Sequence, residues 1–333
     1  MFTLCTVGCG NIAVGEHGPS IKRYCALNKN VVFAACCDLD KEKAAAFAKQ
    51  FGAARFYTNM DEMLDAEKPD AVSLIAPVQL TADLACRILD KGYPVMTEKP
   101  PGLNAAENKQ MTETAGDIPT FVAFNRRFMP AVQKAMKIIT DMGEAGRITH
   151  IHYRMLRINR RDAAFATTAI HGIDLVKYIA GSDYKNLRFT YHNLPALGET
   201  VANFHIQGTT ENGTVVGLDF LPDAGTITER LEITTHGGVI YVNLPIWAES
   251  PDGLGSVVCY QNGKITAELT GEAPEDGCGE RFVLSGFYHE NAAFFDALQK
   301  KDAAVLQKNN IASGLQSVEV AACLTERKLT YHK

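Results

Sequence analysis

A glycine-rich turn placed directly after an apolar run is the feature that most constrains this chain. Leu4–Val7 leads straight into Gly8-Cys9-Gly10-Asn11-Ile12-Ala13, and a second apolar run, Val31–Cys37, ends in Asp38. In a strand–turn–helix unit the first glycine turns the chain sharply out of the strand. The second leaves no side chain between backbone and a diphosphate, and the small third residue keeps the helix near the sheet. Phosphates there meet the positive N-terminus of the following helix, beside Asn11 and Ile12. An acid at Asp38 accepts from both hydroxyls of an adenosine ribose. Its carboxylate repels a 2′-phosphate and the adjacent Leu39 brings no compensating charge, so NAD is the expected cofactor. Lys41 and Lys43 lie nearby and keep NADP open. The alternative is a glycine turn in an α/β fold that binds no nucleotide.

Up to residue 125, short apolar runs alternate with helical patterns, as a parallel sheet flanked by helices requires. Strands are expected at Phe2–Val7, Val31–Cys37, Ala71–Ala76, Val95–Thr97 and Phe121–Phe124. Helices are expected at Lys41–Phe51 and Leu80–Lys91, stopped by Gly52 and Gly92. From about Thr149 the period becomes two: Ile151, Tyr153 and Met155 alternate with His150, His152 and Arg154. Further runs at Leu187–Tyr191, Ala202–Ile206, Val215–Phe220, Leu231–Thr235, Val239–Val242 and Val257–Tyr260 predict an open, mostly antiparallel sheet. Two helices, Phe287–Lys300 and Ile311–Lys328, close the chain with apolar stripes. The expected organisation is an α/β dinucleotide-binding domain over 1–125 and an α+β substrate and oligomerisation domain over 126–333, its terminal helices packing back.

Composition narrows the function. The chain has 333 residues, enough for about two domains, with 46% apolar and 21% charged residues and a net charge of −5. Such a chain is not disordered, and it lacks the basic footprint of a nucleic-acid binder. No window approaches the ~20 apolar residues that span a bilayer. The N-terminus carries no signal-like positive stretch, and the nine cysteines are scattered without any C-x-x-C pair, which predicts reduced thiols and a cytoplasmic protein. Cys5 and Cys9 fall where a strand and its turn belong and are read as small buried side chains, and no metal is expected.

Three more segments carry a resemblance. Glu98-Lys99-Pro100 follows the strand at Val95–Thr97, Asn125-Arg126-Arg127-Phe128 follows the last strand of the first domain, and Thr168-Ala169-Ile170-His171-Gly172-Ile173-Asp174 lies downstream. With the N-terminal GCGNIA they make the chain resemble the Gfo/Idh/MocA family (glucose–fructose oxidoreductase / myo-inositol dehydrogenase) over nearly its full length. The resemblance implies an N-terminal Rossmann domain that binds NAD(P) and a C-terminal domain that builds a sugar site and the oligomer contact. It implies that Lys99 sits beside the nicotinamide and the reacting hydroxyl, with Glu98 near the nicotinamide ribose and Pro100 after a cis bond. Ala76, Pro77 and Asn125 fall at cofactor-lining positions, and His171 takes the catalytic histidine position. Alcohol oxidation needs a base for the hydroxyl proton, which a desolvated Lys or a neutral His can supply.

Two departures stand out. The family's aspartate four residues before the histidine is Thr167, a neutral hydroxyl that cannot stabilise an imidazolium as a carboxylate would. The usual Pro-Asn-x-x-His is Pro77-Val78-Gln79-Leu80-Thr81, which removes polar groups near the cofactor ribose. The stretch Arg154–Asp162 corresponds to a segment lining the sugar pocket, so Arg157 and Asn159 are substrate candidates. Its arginines suit an acidic sugar or sugar phosphate, or else form a solvated surface loop. Arg127 is a pocket residue or an interdomain ion-pair partner, and Asp174 shares a helical face with His171 in either case.

The function expected is an NAD(P)-dependent oxidoreductase acting on a sugar, polyol or sugar acid, with Lys99, His171 and Thr167 at the reacting centre. One alternative is a lyase that oxidises its sugar transiently on the same site. The other is an NAD-binding sensor without turnover. A sheet with one face toward helices leaves the other to be covered, which predicts a homodimer or homotetramer through that sheet.

Overall fold

The computed structural model describes residues 1–161, 165–247, 250–270 and 279–333. The chain divides into two compact units, Met1–Asn125 with Phe287–Val318, and Arg126–Gly286 with Glu319–Lys333. The segment Phe287–Val318, which the sequence division assigns to the second domain as helices packing back, thus clusters with the first.

Unit 1 is built on six parallel strands: β1 (Phe2–Val7), β2 (Val31–Cys37), β3 (Arg55–Tyr57), β4 (Ala71–Leu74), β5 (Val95–Glu98) and β6 (Thr120–Ala123), in the order β3-β2-β1-β4-β5-β6. Reversal of strand order between β1 and β4 opens a crevice at their carboxyl ends. Both faces of the inner strands are covered, which is why β4 is buried along its whole length. The intervening helices are α1 (Gly18–Leu27), α2 (Lys41–Phe51), α3 (Met60–Glu67), α4 (Val78–Asp90) and α5 (Ala105–Ala115). Asp40, Asn59 and Asn104 cap α2, α3 and α5 by accepting from first-turn amides, and Gly52 ends α2 with φ 87°. Some expected boundaries shift by a residue or two. β4 stops at Leu74, before Ile75 and Ala76, and α4 begins at Val78, because Pro77 holds φ −54° at its N-cap.

Between β1 and α1 the chain makes a π turn, Ala13–His17, closed by Gly18 N–H donating to the Ala13 carbonyl. Pro19, just inside α1, has no amide hydrogen and its ring would collide with the carbonyl of Gly15, so the wider turn absorbs it.

Unit 2 begins at Arg126, within the 3-10 turn Asn125–Phe128. It holds α6 (Pro130–Asp141), β7 (Ile148–Leu156), α7 (Ala166–Ala180), β8 (Tyr184–Asn193), β9 (Ala202–Thr210), β10 (Val215–Leu221), β11 (Thr228–Thr235), β12 (Val239–Asn243), β13 (Ser256–Gln261), β14 (Lys264–Thr270) and α8 (Arg281–Leu284). With β15 (Thr330–His332) the strands form one sheet, β14-β13-β12-β11-β7-β10-β9-β8-β15. The sheet is mostly antiparallel, as expected, with one parallel pair, β7 with β10. The long connection through α7, β8 and β9 carries the chain back to the end from which β7 started, so β10 runs alongside it. Helices α6 and α7 cover one face, where Ile151, Tyr153, Leu218, Phe220, Ile233 and Val242 are buried.

The remaining elements are α9 (Phe287–Lys300), α10 (Ala303–Asn309) and α11 (Leu315–Thr325). The expected single helix from Ile311 to Lys328 is a 3-10 turn, Ile311–Gly314, followed by α11. In unit 1, α9 sets Phe294 at 5.4 Å from the Phe121 ring and Phe295 at 5.2 Å from Tyr24. Both phenylalanines are fully buried, each contributing roughly 1.5–3 kcal/mol of transfer free energy.

Candidate active site

In unit 1 the glycine turn is packed against the end of β4. Gly8 has φ 96°, and a Cβ there would stand 2.1 Å from the Ile75 carbonyl oxygen, so only glycine fits. Gly10 is the opposite case: a Cβ would meet nothing within 4 Å, leaving its backbone open on the crevice side, next to exposed Asn11 and Ile12. Asp38, at the end of β2, accepts from Cys9 N–H at 2.8 Å and from Asp40 N–H at 2.9 Å. Those bonds hold its carboxylate beside the turn, and Leu39 next to it is 89% exposed. The open cradle at Gly10 and the fixed acid at Asp38 fit the diphosphate and adenosine ribose of a dinucleotide. Ala76 and Pro77 border the same crevice after β4. Cys5 and Cys9 are buried, as small core side chains are, while Cys278 lies outside the described residues.

Glu98 and half-buried Lys99 stand at the carboxyl end of β5, and the Lys99–Pro100 bond is cis. Glu98 Oε2 accepts from the Lys99 amide at 3.0 Å, while Oε1 meets His17 Nε2 at 2.9 Å. Burial raises the Glu98 pKa, but the hydrogen bond from His17, together with the charge and amide of Lys99, more than offsets it and leaves the carboxyl below its ordinary value. His17 was not among the residues singled out from sequence. Asn125, which ends the first segment of unit 1, is buried.

In unit 2, α7 carries Thr167, His171 and Asp174 on one face. Gly172 turns the opposite side to the sheet: a Cβ there would fall 2.2 Å from Tyr153 Cε1, so glycine lets α7 lie close on β7. Tyr184 Oη donates to the Ile173 carbonyl at 2.6 Å and ties the helix down. His171 is buried and Thr167 half-buried. Asp174 takes the Arg127 fork, Nε to Oδ2 at 2.7 Å and Nη2 to Oδ1 at 2.6 Å, and the Arg127 guanidinium lies 5.4 Å from the Tyr178 ring centroid. Both partners belong to unit 2, so the pair is internal to that unit.

Arg157 lies deeper. Its guanidinium donates to Glu229 on β11 and to the Leu156 carbonyl, and it is 2% exposed. Arg126 joins the cluster with a second fork to Glu229, both bonds 2.8 Å, and Tyr153 Oη donates to the same carboxylate at 2.7 Å. Burial, then the Glu229 charge, push the Tyr153 phenol well above its ordinary pKa, which keeps it a donor. The arginine-rich stretch therefore splits: Arg157 faces the core, whereas Asn159 is exposed, with φ 48° and its amide oxygen accepting from Arg161 Nε at 2.8 Å. Asp162, the end of that stretch, lies outside the described residues. Arg160 Nη2 donates to Thr168 Oγ1 at 3.3 Å, at the start of α7.

Among the sequence candidates, the structure thus brings Gly8, Gly10, Asn11, Ile12, Asp38, Leu39, Ala76, Pro77, Glu98 and Lys99 to the strand ends of unit 1. It brings Thr167, His171, Asp174 and Arg127 together in unit 2, and sets Arg157 and Asn159 apart. Among the described residues no helix is long and apolar enough to cross a membrane.

Comparison with known proteins agrees. The family model described as "Oxidoreductase family, NAD-binding Rossmann fold", Gfo/Idh/MocA, matches residues 2–122. D-glucoside 3-dehydrogenase of Escherichia coli K12 is 31% identical over 153 residues, 45% of this chain and 42% of that protein. Inositol 2-dehydrogenase of Salmonella paratyphi B is 25% identical over 206 residues, 59% of this chain and 61% of that protein. The chain therefore matches roughly two to three fifths of the length of these relatives. A dehydrogenase from Chromobacterium violaceum shares the fold, with a TM-score of 0.83 at 18% identity over 98% of this chain and 95% of that one. A parallel sheet with a glycine turn at its crevice and an acid after β2 agrees with that match: residues 2–122 are similar to the NAD-binding Rossmann fold of the Gfo/Idh/MocA oxidoreductase family.

Proposed function

We propose that this chain is an NAD(P)-dependent oxidoreductase that moves a hydride between nicotinamide and a hydroxyl-bearing carbon of a sugar, polyol or sugar acid. The observation that carries the reading is the convergence, at the carboxyl ends of β1, β2, β4 and β5, of the Gly8 turn, Asp38 and Glu98-Lys99. The Gly8 turn, Asp38 and Glu98 would hold the dinucleotide, with Asp38 on the adenosine ribose and Glu98 toward the nicotinamide ribose. Its nicotinamide supplies the hydride acceptor or donor. Lys99, in its amine form, takes the hydroxyl proton at Nζ as the carbon–hydrogen bond gives up its electron pair. His171, in unit 2, is the second proton-relay candidate, and Asp174, held by Arg127, fixes the helical turn on which the imidazole sits. The carboxylate of Asp38 favours NAD over NADP.

The relatives named for glucoside and inositol oxidation support a polyhydroxylated substrate. We further propose self-association through the sheet face opposite α6 and α7, where Val215, Tyr241 and Tyr260 are exposed. The test is purified full-length chain with NAD⁺ or NADP⁺ and a panel of sugars, polyols and uronic acids, followed by absorbance of the reduced nicotinamide. Turnover on at least one substrate, abolished in Lys99→Ala with nucleotide affinity retained, is the expected result. Tight NAD⁺ binding without reduction on any substrate would favour instead the sensor reading, which Thr167 in place of a carboxylate supports.

A further inference from the structure

We infer that His17 is a positioning residue: a buried relay from Asn291 through its imidazole fixes how the Glu98 carboxylate is presented at the end of β5. The inference rests on the reading above, in which Glu98 serves the nicotinamide ribose, and extends it to two residues without an assigned role. His17 has no exposure, and Asn291, on α9, has none either. The Phe287 ring stands edge-on to the imidazole at 5.3 Å and 81°.

The direction of the relay follows from donor and acceptor counting. Asn291 Nδ2 lies 2.8 Å from the Phe287 carbonyl, which can only accept, so this atom is the amide nitrogen and the amide cannot be turned over without setting oxygen against oxygen. Its second hydrogen points at His17 Nδ1, 3.0 Å away. Nδ1 must then accept, which makes the imidazole neutral and places its one ring hydrogen on Nε2. That hydrogen meets Glu98 Oε1 at 2.9 Å. The other carboxylate oxygen, Oε2, is held by the Lys99 amide.

Glu98 is therefore gripped at both oxygens, one from the π turn that follows the glycine loop and one from the strand end that carries Lys99. A carboxylate so held keeps its remaining lone pairs in one orientation, as supporting hydrogen bonds do for ligating groups in general. Because His17 lies seven residues beyond Gly10, the same short segment that cradles a diphosphate also sets the acid at the far end of the dinucleotide.

Two measurements test it on the full-length chain. Ring-nitrogen NMR of the nucleotide-free protein should show His17 as the neutral Nε2–H form at neutral pH. A Nδ1–H form or an imidazolium would overturn the relay. Calorimetry with NAD⁺ should show His17→Leu weakened by about tenfold or more, while His17→Gln, whose amide can donate to Glu98 and accept from Asn291, recovers most of that loss at an equal melting temperature. Wild-type affinity in His17→Leu, or an equal loss in both variants, would overturn the positioning role. If neither variant folds, the NMR spectrum of the wild type decides. A wild-type chain that binds no nucleotide would remove the reading beneath the inference, and the spectrum would still report whether the relay exists.

Discussion

Replacing Glu229 by glutamine should destabilise unit 2 in a manner that depends on pH. Burial raises the carboxyl pKa, but the Arg126 and Arg157 charges, the Arg126 fork and the Tyr153 hydroxyl overcome it and bring it from 4.5 down to about 2. At about 1.36 kcal/mol per pH unit, that interval corresponds to roughly 3 kcal/mol of native-state stability. The folded-state pKa is depressed, so this stability is complete well above 4.5 and drains away as pH falls toward 2. Glu229→Gln lacks this titration and leaves two buried guanidiniums without their anion, a loss of about 3–5 kcal/mol at neutral pH. Acidification to about pH 3 weakens the wild type but not the variant through this site, so the gap between them should narrow by about 2 kcal/mol. Trp247, the single tryptophan of the sequence, lies 5.6 Å from the Arg157 guanidinium and reports on the cluster directly. Urea unfolding followed by its fluorescence measures both stabilities at each pH. A gap that stays constant between neutral pH and pH of about 3, or a variant as stable as the wild type, would refute the reasoning.

Thr167→Asp puts a carboxylate one helical turn from His171 and should raise the imidazole pKa. The acid limb of the kcat profile then moves to higher pH, and an unmoved limb would mean that His171 does not titrate in turnover. Light scattering of the full chain at micromolar concentration should give a dimer or tetramer that Tyr241→Glu shifts toward monomer, whereas a monomeric wild type would exclude association through the open sheet face.

The elements legible from sequence are those whose signal is burial. β1, β2, α2 and α9 occupy the ranges expected, because continuous apolar runs mark doubly covered strands and a glycine marks where α2 stops. Three of the missed elements, β3, β14 and α5, bury little. β3 is three residues long with Arg55 and Phe56 exposed, β14 is largely exposed, and α5 presents few apolar side chains. The two strands take backbone hydrogen bonds from a neighbouring strand, and α5 closes its own bonds behind an Asn104 cap, none of which leaves a hydrophobic period behind.

At the candidate site, local chemistry was readable and partnership was not. A glycine beside a strand end, an acid after the next strand and the Glu98-Lys99-Pro100 step each announce themselves within a few residues. The fate of a charged side chain is different, since Arg157 reads from sequence as a pocket residue until Glu229, 72 positions later, takes its guanidinium. Likewise nothing near His17 points to Asn291, 274 positions away. Short-range steric and hydrogen-bonding rules act along the chain and so are written in its order. Which buried charge meets which depends on how strands distant in sequence come to lie side by side, and that is settled when the core closes.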